Sequence, residues 1–473
     1  MKQGTVPVFL QKLNVRRSKM PKKNQVIDVT VEDLIFPNKG IAYIDGKKVI
    51  IKNAIKGQKV RARVTKKRKD KIEASIIEVL EKSPIEKEAL CPHFGICGGC
   101  SYQTLPYEEQ LKLKESQVKR LLDNAGLEGY EFLDILPSPS EYNYRNKMEF
   151  TFGDVEKGGE LALGMHKTGS FYEMVTVEGC QIVHADFIKI MMAVLIYFRE
   201  RKIPFYHTRK HEGYLRHLVI RRSAKLGEIL VNLVTSSQMN LDLSDLVEEV
   251  KNLKLEGELK GFLHTINDSL ADVVQSDETR VLYGQDYFME ELLGLKFKIS
   301  AFSFFQTNSL GAERLYSVVR DFAGSTKDKI IFDLYCGTGT IAQIMADVSK
   351  KVIGIEIVEE AVQAAKENAK LNGLENCEFI AGDVLAKVDE LKDKPDLIIL
   401  DPPREGVHPK AIDKIIKFGA KQIIYVSCKP TSLARDLKIF VEKGYKVEKV
   451  RCVDMFPHTP HVECVVLITR VEK

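Results

Sequence analysis

Ser427-Cys428-Lys429-Pro430 follows the apolar run Ile423-Ile424-Tyr425-Val426 and precedes a segment in which Leu433, Leu437, Phe440 and Val441 keep a helical period. Cys428 is therefore placed between the carboxyl end of a strand and the N-terminus of a helix. There the positive end of the helix dipole, with Lys429 beside it, is expected to favour the thiolate. A thiolate so placed is a nucleophile for covalent catalysis, which splits one difficult step into two. If the covalent species is released by elimination, a base must also remove a proton. Glu463, in His458-Thr459-Pro460-His461-Val462-Glu463-Cys464, is the candidate, although taken alone it reads as a half-exposed strand carboxylate. Cys336, Cys377, Cys452 and Cys464 read as inert packing.

Nine cysteines form an odd set, which argues against a disulfide framework and for metal or catalytic roles. Cys91-x5-Cys97-x2-Cys100, followed much later by Cys180, supplies four thiolates. By spacing alone such a set serves zinc or an iron–sulfur cluster. The C-x3-C-x2-C pattern expected of a radical enzyme is absent.

A second group of residues suits a nucleotide cofactor. Asp333-Leu334-Tyr335-Cys336-Gly337-Thr338-Gly339-Thr340 puts glycines at the end of an apolar strand, where open α/β sheets hold ligands close to the backbone. Glu356 ends the next strand, where an acidic side chain accepts hydrogen bonds from ribose hydroxyls, and Asp383 follows the third strand within reach of an adenine edge. Gly337-x-Gly339-x-x-Ala342 also satisfies a relaxed dinucleotide fingerprint, so a nicotinamide enzyme has to be weighed. Asp401-Pro402-Pro403-Arg404 weighs against it: two prolines after the fourth strand stiffen a rim beside the cofactor, a loop not expected in a dehydrogenase. That loop looks like those of class I S-adenosylmethionine methyltransferases.

These residues need a scaffold, and the remaining pattern describes one. With 473 residues, two or three domains are expected. Short alternating strands at Val26–Val31, Gly40–Ile44, Lys48–Ile51, Lys59–Thr65 and Lys71–Val79 predict a small OB-like β-barrel over 23–82, after a basic tail over 1–22. Its Lys66, Lys67, Arg68 and Lys69 form a basic loop of the kind that follows single-stranded nucleic acid. Residues 83–300 read as an α+β middle domain, with helices over Tyr107–Ala125 and Asp186–Arg199 and strands over Leu215–Ser223 and Glu228–Thr235. From 301 to 473 strands and helices alternate as in a doubly wound α/β sheet. Its last two strands, Lys446–Val453 and Val462–Thr469, lack room for a crossover and should be antiparallel.

Taken together, Gln306-Thr307-Asn308, Asp333-Leu334-Tyr335-Cys336-Gly337, Asp401-Pro402-Pro403-Arg404, Ser427-Cys428-x-Pro430 and His461-Val462-Glu463 resemble the RNA uracil-5-methyltransferase family, which makes 5-methyluridine in ribosomal and transfer RNA. The barrel resembles a TRAM domain, and the middle region, with Tyr144-Arg145-Asn146-Lys147, shares in the resemblance. The resemblance implies a Rossmann-like class I methyltransferase sheet, with S-adenosylmethionine as methyl donor. It implies Gln306, Tyr335, Glu356, Asp383 and Asp401 as cofactor contacts, Cys428 as the nucleophile and Glu463 as the base. Carbon 5 of uracil is a poor nucleophile until a thiolate adds at carbon 6, which is what Cys428 would supply. Cys91, Cys97, Cys100 and Cys180 look like the ligands of the four-iron (4Fe-4S) cluster in the family's ribosomal-RNA branch, which favours 23S ribosomal RNA over transfer RNA as substrate. Lys429 departs from the Asn or Asp frequent at that position.

Composition agrees with such a protein. Hydrophobic residues make up 44% and charged residues 29%, and the apolar piece Val6–Leu10 has no cleavage pattern after it. The longest apolar stretch, Met191–Phe198, is too short for a bilayer, so a cytoplasmic monomer without membrane contact is expected. The net charge of +5 is unevenly spread: Lys2, Lys12, Arg16, Arg17, Lys19, Lys22 and Lys23 all precede the first acidic residue, Asp28. Beside the other nucleic-acid features this fits an RNA partner. Methylation of another base, or an RNA-binding or assembly protein with decayed catalytic elements, are the rival readings.

Overall fold

The computed structural model describes residues 21–471 apart from 69–70, 171, 272–273, 275 and 388–390. Most of the basic tail, and Lys69 of the basic loop, lie outside the described residues. The chain divides into two compact units, Met1–Glu86 and Lys87–Lys473.

In the first unit, Val26–Thr30, Asp33–Ile35, Lys39–Ile44, Lys47–Lys52, Lys59–Lys67 and Lys71–Glu81 form one sheet. Alternation drives it: Ile27, Val29, Val60, Ala62 and Val64 turn inward while the residues between them face water. A hydrogen bond from the Glu32 N–H to the Ile41 carbonyl (2.8 Å) curls the sheet back on itself. The short strand Asp33–Ile35 was not legible in the pattern, because three residues carry too little alternation.

In the second unit, seven strands form a largely antiparallel sheet in the order Met174–Val175, Leu161–His166, Lys147–Asp154, Leu215–Arg222, Glu228–Thr235, Glu258–Ile266 and Glu278–Gly284. Helix Ala185–Glu200 packs Phe187, Ile190, Val194 and Phe198 on it.

The other large sheet of this unit positions the chemistry. Counting from Ile330–Leu334 through Lys351–Glu356, Cys377–Ala381, Leu397–Leu400, Gln422–Ser427, Tyr445–Val453 and Glu463–Arg470, its order is 3-2-1-4-5-7-6. The first five strands are parallel and the seventh runs antiparallel between the fifth and sixth, as the lack of a crossover requires. Leu397, Ile398, Ile399 and Leu400 are all buried, as expected of a strand covered by helices on both faces. Helix Glu359–Leu371 ends at Asn372 and a left-handed Gly373.

One strand crosses the expected boundary. Glu131–Leu136 pairs in parallel with Tyr445–Val453 and becomes the eighth strand of this sheet. It satisfies backbone groups that would otherwise line an open edge, and its Leu133 and Leu136 pack on the sheet's core.

Candidate active site

The order of the parallel strands reverses between Ile330–Leu334 and Leu397–Leu400, and ligands of open α/β sheets bind in the crevice outside the carboxyl ends at such a point. A cavity of about 1520 Å³ opens there, and Gln306, Tyr335, Glu356, Asp401, Cys428 and Glu463 all line it. That volume exceeds the roughly 300–1,000 Å³ of a pocket for one small ligand, leaving room for more than one.

At the cofactor end the backbone is shaped for close approach. Tyr335 sits in the left-handed region (φ 67°), held there because its own N–H and that of Cys336 both donate to the Ile355 carbonyl (3.0 and 3.1 Å). Such a conformation in a bulky residue persists only where the surroundings impose it. Gly339 (φ 71°) closes the turn, and a Cβ there would lie 2.6 Å from the Phe379 ring. Glu356 is fixed by two backbone donors, Gly337 N–H to Oε2 and Val358 N–H to Oε1, each 3.0 Å. Asp383 is not among the residues lining the cavity, but its charge helps to raise the Tyr335 hydroxyl, after burial.

Gln306 is anchored from the other large sheet. The Asn146 side-chain amide donates to the Gln306 carbonyl (2.9 Å) and to Ser309 Oγ (2.7 Å), and Ser309 Oγ donates to the buried Glu290 carboxylate (2.6 Å). Asn308 caps helix Ser309–Ala323 by accepting from the Gly311 N–H (2.9 Å).

Strand register explains the meeting of Cys428 with Glu463. Ser427 is paired with Cys464 in the antiparallel ladder, so the next step along each strand sets Cys428 opposite Glu463. Cys428 is half-buried, and its thiol is pushed up to about 11 by burial first and then by the charges of Glu463 and Asp401, with Arg404 pulling it down. The expectation that the helix end and Lys429 would favour the thiolate is thus corrected. Desolvation and two carboxylates raise the thiol, and the opposing cation is Arg404 rather than Lys429. Glu463 is also not half-exposed but buried, because its strand lies between two others; burial and then Asp401 push its carboxyl up to about 8, against Arg404. Desolvation raises Asp401 to about 7. Three carboxyls that resist ionisation, counting Asp333, line one cavity with a thiol, the clustering of perturbed groups found at functional sites.

Residues 106–471 match the family model tRNA (uracil-5-)-methyltransferase, and 22–77 match the TRAM domain. The chain belongs to the tRNA (uracil-5-)-methyltransferase family. It is 56% identical over 449 residues, 95% of this chain and 98% of the other, to an uncharacterized RNA methyltransferase of Clostridium tetani. It is 54% identical over 448 residues, 95% of this chain and 99% of the other, to one of Caldanaerobacter subterraneus subsp. tengcongensis. Among solved structures, the tRNA (uracil-54, C5)-methyltransferase of Pyrococcus abyssi, in complex with S-adenosyl-L-homocysteine, superposes with a TM-score of 0.74 at 26% identity, covering 93% of this chain and 99% of that one. As a member of this family the protein is an S-adenosylmethionine-dependent RNA (uracil-5-)-methyltransferase, with the class I fold and a TRAM domain.

Several cavity residues of this methyltransferase were not singled out in the sequence. Asp333 and Arg404 stood inside motifs already noted, where each could have been weighed as a charge facing the ligand. His461, two residues before Glu463, does not line the cavity but feels the Arg404 charge. Its ring, lowered to about 4 by burial and then by Arg404 and Lys114, is neutral. Phe302 and Phe304, both exposed and lining the cavity, carried no periodic pattern that would mark them.

Four further thiols of the methyltransferase lie within electrostatic reach of one another: Cys91, Cys97 and Cys180 all raise Cys100, which burial first pushes up to about 12. Backbone N–H groups point at their sulfurs, that of Gly99 to Cys97 (3.4 Å) and those of Ile182 and Val183 to Cys180. Among the described residues no group of three or more His, Cys, Asp or Glu side chains could hold a metal ion. No helix among them is long and apolar enough to cross a membrane.

Proposed function

We propose that the protein methylates carbon 5 of a uridine in RNA through a covalent adduct on Cys428, with 23S ribosomal RNA as substrate. Cys428 Sγ, as thiolate, adds to carbon 6 of the flipped-out base, and the ring electrons move onto the carbon 4 oxygen as an enolate. Carbon 5 then takes the sulfonium methyl; the sulfur–methyl bond breaks and S-adenosylhomocysteine leaves. Glu463 removes the proton from carbon 5, and the carbon 6–sulfur bond breaks to return the thiolate and release 5-methyluridine. The observation that carries this reading is the strand register that faces Cys428 with Glu463 inside the cavity bearing Gln306, Tyr335, Glu356 and Asp401. Those four are assigned to the methyl donor, Glu356 to its ribose, and Asp383, beside the cavity, to its adenine edge. A carboxyl whose pKa is raised to about 8 is, once ionised, a stronger base than an ordinary carboxylate, which suits the proton abstraction assigned to it.

The four-cysteine set supports the ribosomal substrate by resemblance. Its assignment to a 4Fe-4S cluster rests on the resemblance: the four thiols raise one another electrostatically, but among the described residues no three of them are gathered closely enough to hold a metal ion. Such a cluster would tie the Cys91–Cys100 loop to the Cys180 turn. A transfer-RNA substrate is the second reading, favoured by the likeness to the Pyrococcus abyssi enzyme. We place the protein in the cytoplasm as a monomer.

Mapping 5-methyluridine in ribosomal and transfer RNA from cells lacking the gene tests the substrate. Loss at a 23S position, restored by the wild-type gene and not by Cys428→Ala, is expected. Loss confined to transfer RNA replaces the ribosomal reading, and no loss in either overturns both.

A further inference from the structure

The nine residues between Val453 and Glu463 join two hydrogen-bonded strands, a task that needs no anchoring from elsewhere. Yet four successive carbonyls in this connection are each taken by a distant element. Asn308 donates to Met455 O (2.9 Å), Lys114 Nζ to Phe456 O (3.0 Å), the Tyr144 hydroxyl to Pro457 O (3.0 Å), and the N–H groups of Ser101 and Tyr102 to His458 O (2.8 and 2.9 Å).

Helix Tyr107–Asn124 makes the most specific of these contacts. Lys114, 1% exposed, also donates to the wholly buried Asp454 (2.7 Å), which in turn accepts from the Phe456 N–H (3.2 Å). Gln110, wholly buried, grips His458 on both sides: its Oε1 accepts from the His458 N–H (2.8 Å) and its Nε2 donates to Nδ1 (3.1 Å). The ring can accept because burial keeps it neutral. His458 is held left-handed (φ 65°), a conformation that such over-determination sustains. From this clamp the chain runs through His461 to Glu463, and Phe456 itself lines the cavity.

We propose that Gln110 and Lys114 are positioning residues for the proton-abstraction step: helix Tyr107–Asn124 and the segment just after Cys100 clamp the 454–462 connection and so fix Glu463 against carbon 5 of the adduct. The inference rests on the assignment of Cys428 and Glu463 above. Loosening the clamp should slow elimination more than methyl transfer, so that methylated RNA stays bound to the protein. A buried ion pair stripped of one partner is strongly destabilised, so Lys114 is tested as the double variant Lys114→Met/Asp454→Asn, and Gln110→Ala stands as a second test.

The experiment incubates full-length variants with S-adenosylmethionine carrying a labelled methyl and unmodified transcripts of 23S ribosomal RNA and of transfer RNA. It measures label in free RNA and in a denaturation-resistant RNA–protein band. Glu463→Gln must accumulate the labelled band; if it does not, the assignment of Glu463 fails whatever the clamp does. Given that band, Gln110→Ala and the double variant are expected to accumulate it too, with kcat lower by up to about 10²-fold and KM for both substrates unchanged. Turnover at the wild-type rate, or lower turnover with no labelled band, overturns the clamp.

Discussion

Glu463 carries an electrostatic cost that its proposed role as base would explain. Its carboxyl holds its proton up to about pH 8, against an ordinary 4.5, because burial and Asp401 disfavour the charge. Below 4.5 the folded and unfolded chains both keep that proton. Between the two values the unfolded chain releases it and the folded chain does not, so the stability tied to this group is lost as pH rises through about 8. Glu463→Gln should therefore melt at a higher temperature than wild type at pH 8, with the gap closing below pH 4.5, while activity falls. Thermal unfolding followed by circular dichroism checks this, and a variant less stable than wild type at both pH values would contradict it. At the same scale, Cys428 was legible from its strand-end position, but its electrostatics were not. The neighbours that raise and lower its thiol, Asp401 and Arg404, come from a strand end and loop more than twenty residues earlier in the chain.

Among the elements, those with a clear period were legible. The strands Leu215–Arg222 and Glu228–Thr235, the last two strands of the α/β sheet and the amphipathic helices Tyr107–Asn124 and Ala185–Glu200 fall within a residue or two of where their patterns put them. Elements whose place is decided by a partner were not. Glu131–Leu136 alternates poorly, with a mix of half-buried and exposed positions, and joins the catalytic sheet because Tyr445–Val453 offers it an edge. The 454–462 connection is irregular, and nothing local marks Lys114, a lysine on a charged helix, as its buried partner. Motifs singled out candidate residues that the fold brings to one cavity; the contacts that hold them required the fold.

At the scale of the whole molecule, the methyltransferase has to capture a polyanion before any base can be flipped into the cavity. Seven cations precede Asp28, and Lys66, Lys67 and Arg68 are exposed at the end of a barrel strand. RNA affinity is therefore expected to fall linearly in a log–log plot against salt, and removal of residues 1–23 should flatten the slope by about 0.7 for each phosphate that the tail neutralises. Fluorescence anisotropy with a labelled single strand measures both slopes; equal slopes would remove the tail from RNA capture. The proposed chemistry depends on sulfur addition to the ring, and the most direct test is to trap it. RNA carrying 5-fluorouridine at the target has no proton at carbon 5 for the proposed base to remove, so methyl transfer should leave the adduct stalled. Mass spectrometry of the digested complex should then find a methylated fluorouridine on the peptide containing Cys428, and none with Cys428→Ala. A methylated product with no adduct, or an adduct on another residue, would contradict the account.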